Sequence, residues 1–226
     1  MFDYEVKQLC EDLVNNRKIG LRLLGSGNFA NVYAHPVRND VAIKVVQNNI
    51  EEDGYRDYVD YALGTLDVSL FPKILYRTGF ITKRNQNIEV YVLERLHSWG
   101  ALNNEQRISC FIMRNAILDI HEGWHDQSNM STETIEKRFA LLQRHCNAHT
   151  SIKRLNEDQL REYKALYVML CTLNDQKDFD WGVGPDIGSS NMMFRIIDDN
   201  TAQCVVTDPV ACGDWMPTPV GEEDYI

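Results

Sequence analysis

Apolar positions in the first hundred residues recur at a period of two, in short runs broken by turn residues. Leu21 to Leu24, Asn31 to His35 and Val41 to Val46 each read as a strand. Glu51 to Leu63 breaks that rhythm: Tyr55, Tyr58, Val59 and Ala62 recur at helical spacing and predict a helix with an apolar inner side. Two more strands follow, at Lys73 to Thr82 and Glu89 to Leu96. Ahead of them all, Tyr4, Gln8, Leu9, Leu13 and Val14 predict a short first helix.

From Asn103 to Asp178 the pattern is mainly helical. Ile108, Phe111, Ile112 and Ala116 mark one face, and Leu160, Tyr163, Leu166, Tyr167, Leu170 and Leu173 another. Strand character returns in Met192 to Ile197 and Gln203 to Asp208, with the turn-forming Asp198-Asp199-Asn200 inside that stretch. The plan is α+β: a sheet lobe over residues 1–96, then a helical lobe over 97–226 that ends in a hairpin with polar residues at both ends. Leu93 to His97 joins the two.

The polar positions that break these patterns carry the chemistry. In "LLGSGNFANVYAHPVRNDVAIKVV", Gly25-Ser26-Gly27 with Phe29 and Val32 fits GxGxFxxV. Without a Cβ, glycine lets main-chain N–H groups approach phosphate oxygens closely. A glycine-turned hairpin explains the same residues without any ligand, so the motif needs support. Val41-Ala42-Ile43-Lys44 supplies it: Ala42 and Lys44 share one face of a strand, a small residue for a purine and an ammonium for phosphates. A lone strand lysine is otherwise a solvent-facing residue. Farther on, Asp186-x4-Asn191 in a loop before a strand places a carboxylate near an attacking hydroxyl and an amide on a metal ion. Asp208, at the end of the next strand, can bind the same Mg²⁺. Singly, each aspartate also fits a helix cap or an Asx-turn.

Those residues resemble the protein-kinase-like fold, in its order of glycine loop, VAIK, Asp-x4-Asn and metal aspartate. "LLGSGNFANVYAHP", "SSNMMF" and "VTDPVA" further resemble the early serine/threonine protein kinases of T-odd podophages, the autographivirus group. The resemblance covers residues 20–46 and 184–212. It implies a minimal bilobal kinase-like fold, ATP with Mg²⁺ (or Mn²⁺), and phosphorylation of host proteins in the host cytoplasm during takeover of the cell. It also implies roles. Gly25, Ser26 and Gly27 cover the nucleotide, Val32 and Ala42 line the adenine, and Lys44 holds the α/β-phosphates. Glu94 to Leu96 offers hinge main chain to adenine, with Glu94 and Leu96 as its contacts. Asp186 takes the hydroxyl proton, and Asn191 and Asp208 hold the metal.

The chain departs from that pattern in places. Gly184-Pro185 replaces His-Arg before Asp186, and Gly188 stands where a lysine is usual. Only residues 209–226 follow Asp208, which predicts a C-terminally truncated fold with no Ala-Pro-Glu segment. The acid that pairs with Lys44 is open among Glu51, Glu52, Asp57 and Asp60. The same site without the Ala-Pro-Glu segment occurs in small-molecule phosphotransferases of the aminoglycoside type, which gives one rival. A degenerate kinase that binds and blocks a host protein is another.

Composition narrows the partners. The 226 residues carry a formal charge of −10, which repels nucleic acid and anionic membranes and suits host proteins with basic surfaces. No apolar run reaches the ~20 residues of a membrane span, and the start has no signal-peptide pattern. The six cysteines form no CxxC pair and read as buried free thiols of a reducing cytoplasm. His121-Glu122-Gly123-Trp124-His125 spells HExxH, a zinc motif when helical, and His145 and His149 repeat its spacing. Gly123 weakens the helix that motif requires.

Overall fold

The computed structural model describes residues 8, 21–27, 30–47, 55–64, 69–81, 87–124, 157–175 and 183–212. The expected first helix lies outside them except for Gln8. The chain divides into two compact units, residues 1–53 with 72–96 and residues 54–71 with 97–226. The second unit thus takes in the helix that follows the third strand.

The first unit is an antiparallel sheet of β1 (Leu23–Ser26), β2 (Ala30–Ala34), β3 (Val41–Gln47), β4 (Ile74–Ile81) and β5 (Asn87–Glu94). Its strand order is β1-β2-β3-β5-β4. The β1 strand runs into the glycine motif, because Gly25 pairs with Val32 and Ser26 with Asn31. Alternation sends Val41, Ile43, Val45, Ile88, Val90 and Val92 to one face, where they form a buried cluster flanked by Tyr33 and Tyr76. The other face receives Val32, Ala42 and Lys44.

The second unit contains α1 (Tyr55–Gly64), α2 (Asn104–Trp124) and α3 (Glu157–Asp175). Two short ladders complete it: β7 (Met192–Ile196) with β8 (Ala202–Val206), and β6 (Val183–Pro185) with β9 (Val210–Cys212). A reciprocal capping box starts α2: Gln106 N–H donates to Asn103 Oδ1 at 2.9 Å, and Asn103 N–H to Gln106 Oε1 at 3.0 Å. Gln106 Nε2 also donates to Asp198 O at 2.8 Å, which ties the helix start to the β7–β8 turn.

That tie fixes which side of α2 is buried. Cys110, Met113, Ala116 and Ile117 lie inside, with Gln106 on the same side. Of the face that the apolar period marks, Ala116 is buried, while Ile108 and Phe111 are exposed. The apolar periodicity misplaces the face because the polar Gln106, satisfied by its cap and by a carbonyl, takes an inner position. In α1, Tyr55, Tyr58 and Val59 are buried as the spacing predicts, and in α3 Tyr163 and Leu166 are, joined by Met169. The α+β fold class, a small antiparallel sheet followed by helices and late hairpins, is the one the sequence predicts.

Candidate active site

On the sheet, Val32 stands opposite Lys44, and Ala42 opposite both Ala34 and Leu93. Directly opposed residues point to the same side, so Val32, Ala42 and Lys44 line one face together. Lys44 is only 6% exposed, which sets aside the solvent-facing lysine. The hairpin ahead of it is closed by Gly27 N–H to Ala30 O at 2.8 Å and by Ser26 Oγ to Asn31 Oδ1 at 2.7 Å. Gly25, Ser26 and Gly27 are all exposed, while Asn28 and Phe29 lie outside the described residues. Among the described residues, an added Cβ at Gly25 meets nothing within 4 Å. The expected adenine contacts, Glu94 and Leu96, lie at and just past the end of β5. Glu94 is anchored there by its N–H to Lys73 O at 2.9 Å and by Lys73 N–H to its Oε1 at 2.8 Å.

In the second unit, the two short ladders bring the remaining expected residues together. Met192 pairs with Val206, which sets Asn191 beside Thr207. Pro185 pairs with Val210, which sets Asp186 beside Pro209. Hydrogen bonds join the ladder ends. Thr207 N–H and Oγ1 donate to Asn191 O at 2.8 and 2.9 Å, and Asp186 N–H donates to Pro209 O at 2.8 Å. Asp208 is therefore held on both sides, through one neighbour to Asn191 and through the other to Asp186. Asn191 Nδ2 donates to Asp186 Oδ2 at 2.9 Å and to Asp186 O at 2.8 Å, which fixes both the loop and the direction of the carboxylate. A turn closed by Asn191 N–H to Gly188 O at 3.0 Å carries Ser189 and Ser190. Beside it lies a cavity of about 370 Å³, lined among others by Ser98, Trp99, Arg114, Ser189 and Met193.

The donor set suits a hard cation. With Nδ2 committed to Asp186, Asn191 offers its amide oxygen, and Asp208 offers a carboxylate whose Oδ1 is fully buried. Oxygen donors of this kind suit Mg²⁺ or Mn²⁺ rather than Zn²⁺. Among the described residues, no group of three or more His, Cys, Asp or Glu side chains is placed to hold a metal by itself. In the HExxH stretch, α2 stays helical through Gly123 to Trp124. The side chains of His121 to Trp124, and His125, His145 and His149 entirely, lie outside the described residues.

No protein-family model matches the chain, and no curated protein matches it. Among solved structures it is similar to the GDP complex of wild-type aminoglycoside 2'-phosphotransferase-IIIa, with 11% identity and a TM-score of 0.38 over 92% of this chain and 73% of that one. It is similar also to the streptomycin–ATP complex of APH(2")-IIa, at 15% identity and a TM-score of 0.34 over 90% and 72%. A thermostable mutant of the aminoglycoside phosphotransferase APH(4)-Ia gives 12% and 0.37 over 89% and 72%.

Residues that the sequence pattern does not single out hold the β7–β8 ladder in place. Tyr58 of α1 donates its hydroxyl to Val206 O at 2.8 Å, and Val206 N–H donates to Leu70 O at 2.7 Å. Val206, two residues before Asp208, is thus fixed at both its main-chain groups. Burial, and secondarily the charge of Asp208, pushes the Tyr58 phenol well above its usual pKa, so it stays a donor. Arg195 donates to Ser69 O at 2.8 Å, Phe71 O at 3.1 Å and Gln203 Oε1 at 2.6 Å, clamping residues 69–71 to the hairpin. The only sequence signal for these is a tyrosine on the inner side of a helix and an arginine inside a strand. Cys110 and Cys204 are buried free thiols, as expected. No helix among the described residues is long and apolar enough to cross a membrane.

Proposed function

We propose that the chain transfers the terminal phosphoryl group of ATP to a hydroxyl of an acceptor. The observation that carries this reading is the joining of Asp186, Asn191 and the Thr207–Pro209 segment by main-chain and side-chain hydrogen bonds. That cluster sets a carboxylate for a hydroxyl proton beside an oxygen-donor set for a cation. Within the first unit, the exposed glycine hairpin and the buried Lys44 carry main-chain N–H groups and an ammonium suited to phosphates.

In this reading Asn191 and Asp208 hold Mg²⁺, which when bound neutralises charge on the phosphate oxygens. Lys44 pairs with the α/β-phosphates, and the main chain of Gly25 to Gly27 covers them. Glu94 and Leu96 offer main chain to the adenine. Asp186, aimed by Asn191, accepts the acceptor's hydroxyl proton. The hydroxyl oxygen bonds to the γ-phosphorus as the bond to the bridging oxygen breaks, and ADP leaves.

The acceptor we propose is a serine or threonine of a basic host protein, in the host cytoplasm. The formal charge of −10 favours basic partners, and residues 20–46 and 184–212 resemble phage kinases. A cationic small molecule is the second reading. Gly188 favours it, since serine/threonine protein kinases carry a lysine there. Incubation with γ-labelled ATP and host lysate separates the two: labelled protein bands support the first, labelled small molecules the second. No label in either fraction, with ATP binding intact, supports a non-catalytic binder.

A further inference from the structure

The cavity of about 370 Å³ beside the Asp186 loop lies wholly within the second unit. Trp99, Met193 and Phe194 give it apolar lining, and Ser98, Ser189 and Arg114 give it polar lining. A mostly apolar hollow with a few fixed polar groups is the make-up of a binding site, and this volume is at the small end of such sites.

Arg114 is the charged group of that lining. Its guanidinium lies 5.0 Å from the centroid of the Trp99 ring, and Nη1 donates to Asn115 Oδ1 at 3.2 Å. Trp99 is itself fixed. Its ring packs 5.2 Å from that of Phe194, and Arg107 donates to Trp99 O and Gly100 O, each at 3.3 Å. The half-buried guanidinium is thus held from two sides before a ligand arrives, which lowers the entropy cost of binding one. The Asn115 bond takes one of its five N–H donors. Such a fork matches the oxygens of a carboxylate or a phosphate. The Ser98 hydroxyl, at the start of the Trp99–Ala101 turn, makes no capping bond to it and adds a donor to the cavity wall.

The position of the cavity suits an acceptor. Ser189 follows Asp186 by three residues, at most ~11 Å of main chain. An extended peptide covers that distance in a few residues, so a peptide with its hydroxyl at Asp186 reaches the cavity with a neighbouring side chain.

We propose that this cavity docks the acceptor by an anionic side chain, a carboxylate or a phosphate, that neighbours the serine or threonine to be phosphorylated. Arg114 is its specificity-determining residue. The net charge of the chain favours a partner that is basic as a whole; the cavity selects the residue beside the acceptor hydroxyl. The proposal rests on the phosphotransfer reading for what happens at that hydroxyl, and on the cavity alone for the anion.

The test is transfer from γ-labelled ATP to synthetic basic peptides that differ in one residue beside the acceptor serine: alanine, aspartate or phosphoserine. The anionic peptides should show kcat/KM at least ~10-fold above the alanine peptide, the effect of one charge-assisted hydrogen bond, and through KM rather than kcat. Aspartate against phosphoserine tells a carboxylate pocket from a phosphate pocket. Arg114→Gln should bring the ratio below ~2-fold, and Arg114→Lys, which keeps the charge without the fork, should restore part of it. Equal use of all the peptides by the wild type, or an unchanged ratio in Arg114→Gln, would overturn the proposal. If Arg114→Gln does not fold, Arg114→Lys takes its place: a reduced ratio supports the proposal and an unchanged one overturns it. A wild type that labels no peptide counts against the phosphotransfer reading instead. Anisotropy of fluorescent peptides then decides the cavity: phosphoserine or aspartate binding at least ~10-fold tighter than alanine supports it, and equal binding overturns it.

Discussion

Gly25 occupies a strand position where a methyl group would meet no atom of the described residues within 4 Å, and its φ lies outside the left-handed region. None of the described residues calls for glycine there. In the proposed reading, a phosphate's close approach to the main chain does. Gly25→Ala should leave stability unchanged or raise it by ~0.4–1 kcal/mol, because alanine restricts the unfolded chain. The same change should weaken Mg·ATP binding. Thermal unfolding alone and with Mg·ATP measures both, and full ATP affinity in the variant would count against a phosphate-covering loop. At this scale the nearness of Asp186, Asn191 and the Asp208 segment was legible in their spacing and in the strands that follow each. The burial of Glu89 was not: one acid in a strand reads as solvent-facing, and the sequence does not display the register that brings Tyr91 and Arg77 to its carboxylate. The two-residue extension of β1 into the glycines was also hidden, since glycine carries no strand propensity.

The helices and ladders turn those residues into a site. The α1 helix reaches β8 through one hydroxyl, Tyr58 to Val206 O. Tyr58→Phe keeps the ring that packs edge-on against Phe71 but loses this bond. It should cost roughly 1 kcal/mol in urea unfolding near neutral pH. The phenol's pKa is raised in the folded state, so folding disfavours its ionised form. Its contribution is complete below the unfolded-state value of about 10 and declines as pH rises above that toward the folded-state value. Wild-type stability should therefore fall between pH 9 and 11 more steeply than that of Tyr58→Phe. Parallel pH profiles for the two proteins would contradict the assignment. Element types were read correctly wherever an apolar period was long, as in β3, α1 and α3. They were missed at β6 and β9, whose residues are few and include Pro185, too short for alternation to show. The face of α2 was misjudged because Gln106, polar by type, is buried by its hydrogen bonds.

At the scale of the whole molecule, the proposed phosphotransfer depends on a cation held by Asn191 and Asp208. EDTA should abolish phosphotransfer, and Mg²⁺ or Mn²⁺ should restore it, because the donors are oxygen atoms. Stoichiometric zinc in the purified protein, lost in His121→Ala, would instead support the HExxH stretch as the working site. The formal charge of −10 adds that transfer to a basic acceptor should weaken as ionic strength rises. The central claim is that Asp186 activates the acceptor hydroxyl, and transfer from γ-labelled ATP by folded Asp186→Asn tests it most directly. The account predicts turnover reduced by at least ~10²-fold with Mg·ATP affinity little changed, as for loss of a positioned base. Near wild-type turnover in that variant would contradict it and move the search to Asp180, the next carboxylate upstream in the sequence.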